Sequence, residues 1–385
     1  METLSKRAFA FLEETFEDTM TLLETICKIP APSHHEERRA EFCKNWLTEQ
    51  GAQGVYIDSA KNVVFPMGCD GCSDITVFLA HTDTVFPDME YPMPYTRDEK
   101  RCYNPGVGDD TVCLVMMLRA VSYILKHGLK PMGGILFVAN ACEEGLGNLK
   151  GIKQIMQDYA GRIGRVYTFD AHYTHLYTRC VGSHRYKIHV KTQGGHSYSA
   201  FGNRNAITAM AQLICALDQC TIPETAPLKT TYNFGTIEGG TSVNTIPQDA
   251  AFCYEYRSES AEALAQMEAF FHKTLAQARK DPEATFEVET IGIRPCGDYS
   301  CQAEIDDMTR LASMVIEAHT GTPPKCTAAS TDANIPLSLG IPAICVGNYL
   351  GGGAHTREEY IEIESIPVGL KITADLILRY FTETA

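Results

Sequence analysis

The pattern of apolar and polar residues first predicts strands that alternate with helices. Three apolar runs of strand length each lead directly into polar side chains, at residues 75–80, 134–141 and 166–169. After the first run, apolar residues recur at helical spacing over residues 109–126, and Gly128 is placed to end that helix. This alternation indicates an α/β layer with a largely parallel sheet, in which functional sites form at the carboxyl ends of the strands.

Between residues 184 and 293 the pattern changes. It predicts strand, helix, two strands, helix and strand, at residues 186–192, 203–219, 231–237, 250–257, 261–279 and 286–290. This βαββαβ order is typical of a ferredoxin-like domain. Beyond Gly297 the α/β pattern resumes. We therefore predict a bilobal α/β protein in which residues 1–183 and 294–385 form one domain and residues 184–293 form an inserted α+β domain.

Composition and charge narrow the class of partner. The 385 residues are 44% hydrophobic and 21% charged, as in an ordinary globular protein. The net charge of −15 repels phosphate backbones and anionic lipid, and no apolar run approaches the roughly 18 residues of a membrane span. We expect a small-molecule or peptide partner, with no nucleic acid and no membrane. Residues 1–29 have the pattern of an acidic amphipathic helix, not of a secretion signal, and we expect a cytoplasmic protein.

Two of the predicted strands end in pairs of groups that suit a metal site. His81 and Asp83 point the same way at a strand end, where a carboxylate can orient a metal-binding imidazole. Glu143 and Glu144 follow the next apolar run, and two adjacent acids there repel each other unless a cation or a proton neutralises them. The alternative interpretation of each pair is an ordinary polar strand end.

Three further groups complete a donor set. Asp170 ends the third strand, His355 follows a glycine-rich stretch, and Asp109 starts a predicted helix, where it can also act as a cap. The set contains two imidazoles, a carboxylate able to bridge, a terminal carboxylate for each metal and a further carboxylate as base, as a two-metal hydrolytic site requires. Two zinc ions about 3.5–4 Å apart share a water, lower its pKa toward roughly 7 and polarise a carbonyl oxygen.

The motifs that contain these groups resemble those of a known family. The family is that of the zinc aminopeptidases and amidohydrolases, which includes tripeptidase T, carboxypeptidase G, aminoacylase, acetylornithine deacetylase and succinyl-diaminopimelate desuccinylase. The resemblance covers almost the whole length. In chain order the motifs are His81-Thr82-Asp83, Gly108-Asp109-Asp110, Cys142-Glu143-Glu144-Gly145, Asp170, Gly194-Gly195-His196-Ser197 and Gly353-Ala354-His355-Thr356-Arg357-Glu358-Glu359.

The resemblance implies a fold and an assembly. The catalytic zinc-peptidase domain is expected to have the phosphorylase/hydrolase-like architecture, a mixed and mainly parallel sheet with helices on both faces. The inserted ferredoxin-like domain is expected to act as a lid and to form the contact of a homodimer. The expected cofactors are two Zn²⁺ ions, with Co²⁺ or Mn²⁺ as substitutes in vitro.

The resemblance also implies roles for individual residues. His81 and Asp170 are expected to bind one zinc, Glu144 and His355 the other, and Asp109 both; the Asp109-Asp110 peptide is expected to be cis. Asp83 is expected to orient His81, and Glu143 to be the general base. In the lid, His196 is expected to contact a substrate carbonyl, often in the partner subunit's active site, and Asn244 and Arg257 to bind the substrate's carboxylate.

The expected reaction is hydrolysis of an amide bond in a small peptide, as in a tripeptidase or dipeptidase, by metal-bound hydroxide. One alternative is an N-acyl amino acid deacylase with the same site, and another is a noncatalytic ligand-binding or adaptor relative. The Gly108-Asp109-Asp110 motif and Asp170 slightly favour the tripeptidase branch, while Thr111 departs from the lysine that most relatives have there. After the last candidate ligand, residues 357–359 are expected to lie in a solvated turn.

Overall fold

A computed structural model describes residues 4–145 and 147–383. The chain divides into two compact units, Met1–Cys180 with Asp298–Ala385, and Val181–Gly297. The sequence pattern predicted the divisions at 183/184 and 293/294, which would cut two strands of the second unit near their ends. Ser183 pairs with Arg294 across those strands, so both residues belong to the second unit. The outermost residues of the predicted catalytic domain, 1 and 385, lie outside the described residues.

Helices and strands follow one another through both units. The α-helices of the described residues are α1 (Leu4–Glu14), α2 (Phe16–Cys27), α3 (Glu37–Glu49), α4 (Val112–Lys126), α5 (Lys150–Asp158), α6 (Ala206–Leu217), α7 (Ala261–Ala278), α8 (Gln302–Thr320), α9 (Asn334–Ser338) and α10 (Ser365–Leu378), and a π-helical turn (Val107–Thr111) precedes α4. The strands are β1 (Tyr56–Ile57), β2 (Val63–Met67), β3 (Ile75–His81), β4 (Thr96–Arg97), β5 (Arg101–Tyr103), β6 (Lys130–Pro131), β7 (Gly134–Asn140), β8 (Ile163–Phe169), β9 (His175–Cys180), β10 (Gly182–Thr192), β11 (Gly195–His196), β12 (Thr230–Gly239), β13 (Thr245–Ile246), β14 (Asp249–Ser258), β15 (Ala284–Arg294), β16 (Lys325–Ala329), β17 (Ala343–Val346), β18 (Gly351–Gly352), β19 (Tyr360–Glu362) and β20 (Phe381–Thr382).

The first unit is built on an eight-stranded mixed sheet in the order β1-β2-β7-β3-β8-β17-β9-β16. The four central strands, β7, β3, β8 and β17, run parallel to one another. In this register His81 lies opposite Asn140, and Val346 lies opposite Phe169, directly before Asp170. The parallel strands therefore end together, and the polar groups that follow them meet at one edge of the sheet.

The apolar runs form these strands because both of their faces are covered. Every residue of β3 and of β7 is buried, as expected for central strands of a parallel sheet. Helix α4 packs on β3 and on α10, and α8 packs on β17. The ring of Phe78 stacks on those of Phe137 and Tyr167, with centroids 5.8 and 5.2 Å apart. This close packing fixes the position of the strand that ends in His81.

The second unit contains a four-stranded antiparallel sheet in the order β12-β14-β10-β15. Helices α6 and α7 cover it, with apolar side chains such as Leu213 and Phe271 in one core with Tyr186 and Tyr254 of the sheet. Asn205 and Ser260 cap the two helices by accepting hydrogen bonds from backbone amides of the first turn. The main elements follow the order βαββαβ that the sequence pattern indicates.

The helices of the described residues do not meet the requirements of a membrane span. Among the described residues, none combines the length and the apolar character that crossing a bilayer demands.

Candidate active site

Asp109 lies between two imidazoles. Its Oδ1 is 2.9 Å from Nε2 of His81, and its Oδ2 is 3.0 Å from Nε2 of His355. His81 ends β3, whereas His355 lies in the loop between β18 and β19, so the two histidines come from distant parts of the chain. A carboxylate with one oxygen toward each imidazole has the arrangement of a bridging ligand between two metal ions.

Further carboxylates surround this group. Oε1 of Glu144 lies 3.4 Å from Nε2 of His355. Ligand atoms of His81, Asp109 and Glu144 all lie within 4.8 Å of one another, and the same holds for His81, Asp110 and Asp170. The structure therefore brings the five metal ligands expected from the sequence into one region and adds Asp110 as a neighbour.

The carboxylate of Asp83 organises the ends of two strands. It is fully buried and accepts hydrogen bonds from the backbone N–H groups of Glu143 (2.9 Å) and Glu144 (3.0 Å), and from the hydroxyl of Ser33 (2.7 Å). Nδ1 of His81 lies 3.5 Å from the carboxylate but 3.0 Å from the backbone carbonyl of Asp83. His81 thus lies against Asp83, and the nearer atom of Asp83 is its backbone oxygen. The role of Asp83 in orienting His81 stays a prediction.

The backbone is unusual beside several of these groups. Cys142, Ala171 and His355 have φ angles of 59°, 73° and 63°, in the left-handed region that side chains rarely adopt. Two of them flank candidate site residues and the third is itself a candidate ligand. Such backbone conformations cost about 1–3 kcal/mol each and cluster at functional sites. The Asp109-Asp110 peptide is cis, as the resemblance implied.

The close spacing of these acids shifts the pKa values of their carboxyl groups. Burial, and then the charge of Asp109, raise the pKa of the Glu144 and Asp170 carboxyls above the ordinary values. Burial alone would raise the pKa of Asp109 as well, but hydrogen bonds with His355 and His81 outweigh it and hold that pKa well below the usual range. Hydrogen bonds with Asp109 and Glu144 raise the pKa of His355 to about 11.

These shifts have one physical meaning. The group of carboxylates attracts positive charge, which protons on the imidazoles or a divalent cation can supply. Imidazole nitrogens and carboxylate oxygens are also the donors that zinc prefers when cysteine is not used. The residues present therefore fit a centre of two divalent metal ions.

The inserted unit contains the three candidate substrate-binding residues. Nδ1 of the exposed His196 accepts hydrogen bonds from the backbone N–H groups of Tyr198 (3.2 Å) and Ser199 (3.4 Å), which leaves the proton of a neutral ring on Nε2. Asn244 adjoins it, because its backbone oxygen accepts from the N–H of Ser197 at 3.0 Å. His196 and Asn244 thus lie side by side.

Arg257 lies elsewhere in the same unit. It pairs with Ser183 at the start of β10, whereas the β11–β13 pair that contains His196 follows the end of β10 at Thr192. Nine residues at about 3.3 Å each separate Ser183 from Thr192 by about 30 Å along β10. The register of the sheet thus places Asn244 and Arg257 of one chain at opposite ends of the unit. Their expected role in binding the substrate's carboxylate stays a prediction.

Arg257 has a fixed partner within its own strand. Its Nε and Nη2 donate to the two carboxylate oxygens of Glu255, both at 3.0 Å. This two-point contact holds the guanidinium in one orientation.

Comparison with known proteins identifies the family. The model of Peptidase family M20/M25/M40 matches residues 77–379, which is more than half of the chain. The chain belongs to this family. Membership of a peptidase family supports the prediction of a hydrolytic enzyme.

Individual relatives of the M20/M25/M40 family are distant. A probable carboxypeptidase of Paracoccidioides brasiliensis is 24% identical over 258 residues, which cover 60% of this chain and 58% of that protein. The alignment thus spans less than two thirds of that relative. Among solved structures, a tripeptidase of Staphylococcus aureus has a TM-score of 0.74 at 19% identity, covering 93% of this chain and 96% of its own. A dinuclear metal-binding peptidase of Bacillus subtilis has a TM-score of 0.64 at 14% identity. This match covers 96% of the present chain and 99% of the peptidase. These likenesses confirm the α/β fold with a mixed sheet.

Thr111, which stands where the resemblance implied a lysine, contacts a buried cation. Nη1 of Arg39 donates to the Thr111 hydroxyl at 3.3 Å and to the Thr82 carbonyl at 2.8 Å. Nε of Arg39 donates to the carbonyl of Ile29. The guanidinium is fully buried and ties helix α3 to the segment that follows His81. No sequence pattern pointed to this arginine.

Glu359 corrects the expectation of a solvated turn after His355. Its side chain is buried, and its carboxylate accepts hydrogen bonds from three backbone N–H groups, of Gly106 (2.7 Å), Gly108 (2.9 Å) and Asp109 (2.8 Å). It therefore holds the loop that presents Asp109. The only indication of this role in the sequence was that Glu359 belongs to the same motif as His355. Its polar neighbours gave it the pattern of a surface residue.

Replacing Glu359 by alanine is expected to weaken metal binding. The three N–H groups would lose their acceptor and the loop that carries Asp109 would lose its anchor. Loss of such supporting contacts typically lowers metal affinity by about 10- to 100-fold. Competition with a chelator of known affinity measures this directly. Glu358→Ala removes the exposed neighbouring acid and serves as the matched control. Equal metal affinities for the two variants would show that Glu359 does not position Asp109.

Proposed function

We propose that this protein is a hydrolase with two zinc ions that cleaves an amide bond of a small peptide. The observation that carries the proposal is the position of Asp109, whose two carboxylate oxygens lie 2.9 and 3.0 Å from the imidazoles of His81 and His355. We assign His81 and Asp170 to one ion, Glu144 and His355 to the other, and Asp109 to both. The tripeptidase and the dinuclear peptidase among its structural neighbours support this reading.

Glu143 acts as general base and acid in this proposal. Two zinc ions held by these residues would lower the pKa of a water molecule and polarise the scissile carbonyl. Glu143 takes a proton from the attacking water and gives it to the leaving nitrogen. Its backbone N–H is bound to Asp83, and the same carboxylate holds the N–H of Glu144, so the base is kept at a fixed place beside a proposed ligand. Asp83 also orients His81 in this proposal, because its backbone oxygen lies 3.0 Å from Nδ1 of His81.

We further propose that the inserted unit recognises the substrate and forms a homodimer. Arg257 binds the substrate's carboxylate through Nη1, because its Nε and Nη2 are bound to Glu255. His196 donates from Nε2 to a carbonyl oxygen. His196 and Asn244 lie beyond one end of β10, and Arg257 of the same chain lies at its other end, about 30 Å away along that strand. We therefore assign the two groups to different active sites. A dimer in which each chain lends His196 and Asn244 to its partner satisfies this constraint.

The role of Glu143 is tested by the variant Glu143→Ala. We expect turnover to fall by about 10²- to 10⁴-fold, because general acid–base catalysis contributes about that much. Metal content should remain that of the native protein, whereas His81→Ala should lose metal. The assay uses di- and tripeptides beside N-acetyl and N-succinyl amino acids, with metal measured on the same preparation. Retained turnover in Glu143→Ala would rule out the assigned base, and exclusive cleavage of acyl amino acids would reassign the enzyme as a deacylase.

The exchange of His196 between subunits is tested by mixing two variants. His196→Ala and Glu143→Ala should each be nearly inactive alone. After random reassembly, half of the dimers contain one chain of each kind, and one of their two sites is complete. We therefore expect recovery of about a quarter of native activity. Activity that stays at the level of the separate variants would mean that His196 serves its own chain.

A further inference from the structure

A cavity adjoins the candidate metal centre within the first unit. Its volume is about 490 Å³, within the range of about 300–1,000 Å³ that small-molecule pockets occupy. The walls come from the segment after α2 and the segment after β3. The apolar lining residues are Pro32, Val85, Phe86, Pro87 and Met89. The mechanism proposed above does not use this cavity.

The cavity is continuous with the site because Glu144 lines both. Its two walls are joined to each other, since the N–H of Thr84 donates to the carbonyl of Ala31 at 2.9 Å. They are also joined to the catalytic framework, since the Ser33 hydroxyl donates to Asp83 at 2.7 Å. The carboxylate that positions Glu143 and Glu144 therefore also holds one wall of the cavity.

The lining favours an apolar occupant. Phe86 is buried, whereas Val85 and Met89 remain 39% and 47% exposed, so a ligand in the cavity can cover apolar surface. The guanidinium of Arg357 lies 5.0 Å from the ring centre of Phe86 but is paired with Asp88, to which its Nη1 donates at 2.6 Å. This pairing reduces its attraction for an acidic side chain. His34 and His35 line the cavity as exposed residues.

We propose that this cavity binds the side chain on the carbonyl side of the scissile amide and selects substrates with leucine, methionine or phenylalanine there. This side is assigned because the proposed function gives the carboxylate end of the substrate to Arg257, which leaves the residue at the amino end for the cavity. The proposal thus rests on the proposed function and names its substrate class. Met89 is the specificity-determining residue that is easiest to change, because it is half exposed and belongs to no helix or strand.

A series of tripeptides X-Gly-Gly, with X as Leu, Phe, Gly, Lys or Asp, tests the preference. For the native enzyme we expect kcat/KM for Leu and Phe to exceed that for Gly by at least about 10-fold, since one methylene in an apolar pocket is worth about 10- to 200-fold. Met89→Glu should lower kcat/KM for Leu by at least about 10-fold and raise it for Lys, with little change for Gly. Met89→Leu should behave like the native enzyme.

Met314→Glu provides the matched control, because Met314 is an equally large side chain that is 62% exposed on helix α8. It should leave the order of the five peptides unchanged. Equal losses for all five peptides in Met89→Glu would overturn the proposal, as would a native enzyme that cleaves Gly-Gly-Gly as well as Leu-Gly-Gly.

Calorimetric binding of the same peptides to Glu143→Ala separates this proposal from the proposed function. If the native protein hydrolyses no peptide, the hydrolase proposal fails. The cavity proposal is still supported in that case if Leu-Gly-Gly binds more tightly than Gly-Gly-Gly and if adding Met89→Glu abolishes this difference. If the peptides are hydrolysed and bound without an apolar preference, the cavity proposal fails and the proposed reaction stands.

Discussion

The concentration of carboxylates around Asp109 is the constraint on which the rest of this structure depends. Asp109, Asp110, Glu144 and Asp170 meet close to His81 in a region largely removed from water. Like charges at this spacing repel strongly in a medium of low dielectric constant, so the arrangement requires compensating positive charge. When protonated, the two imidazoles that face Asp109 supply part of this positive charge. A pair of divalent cations would supply the rest. A fold that assembles such a group has to hold each member against its neighbours.

Two other buried carboxylates hold these groups in place by accepting hydrogen bonds from backbone amides. Asp83 joins the ends of β3 and β7 through the N–H groups of Glu143 and Glu144, and Glu359 holds the loop of Asp109 through three N–H groups. The parallel strands supply the common edge from which these segments start. The same contact of Asp83 with Ser33 extends the framework to the wall of the apolar cavity. Metal ligands, base and cavity thus share a single set of supports.

The sequence predicted those features that follow from local pattern. Apolar runs ending in His81, Glu143 and Asp170 located the sheet edge, and alternating periodicity gave the βαββαβ order of the inserted unit. Contacts between residues that are distant in the chain could not be predicted from the sequence. Glu359 has the pattern of a surface acid, and Arg39 lies on a polar helix, so neither side chain revealed its burial. The distance between Asn244 and Arg257 depends on the register of β10 with β14, which no single segment encodes.

Anomalous diffraction at the zinc absorption edge, on crystals of the zinc-loaded protein, tests the central claim most directly. The expected result is two peaks about 3.5–4 Å apart, with Asp109 between them and His81 and His355 on opposite sides. A single peak, or peaks that lie away from Asp109, would contradict the assignment of this group of carboxylates as a centre of two metal ions.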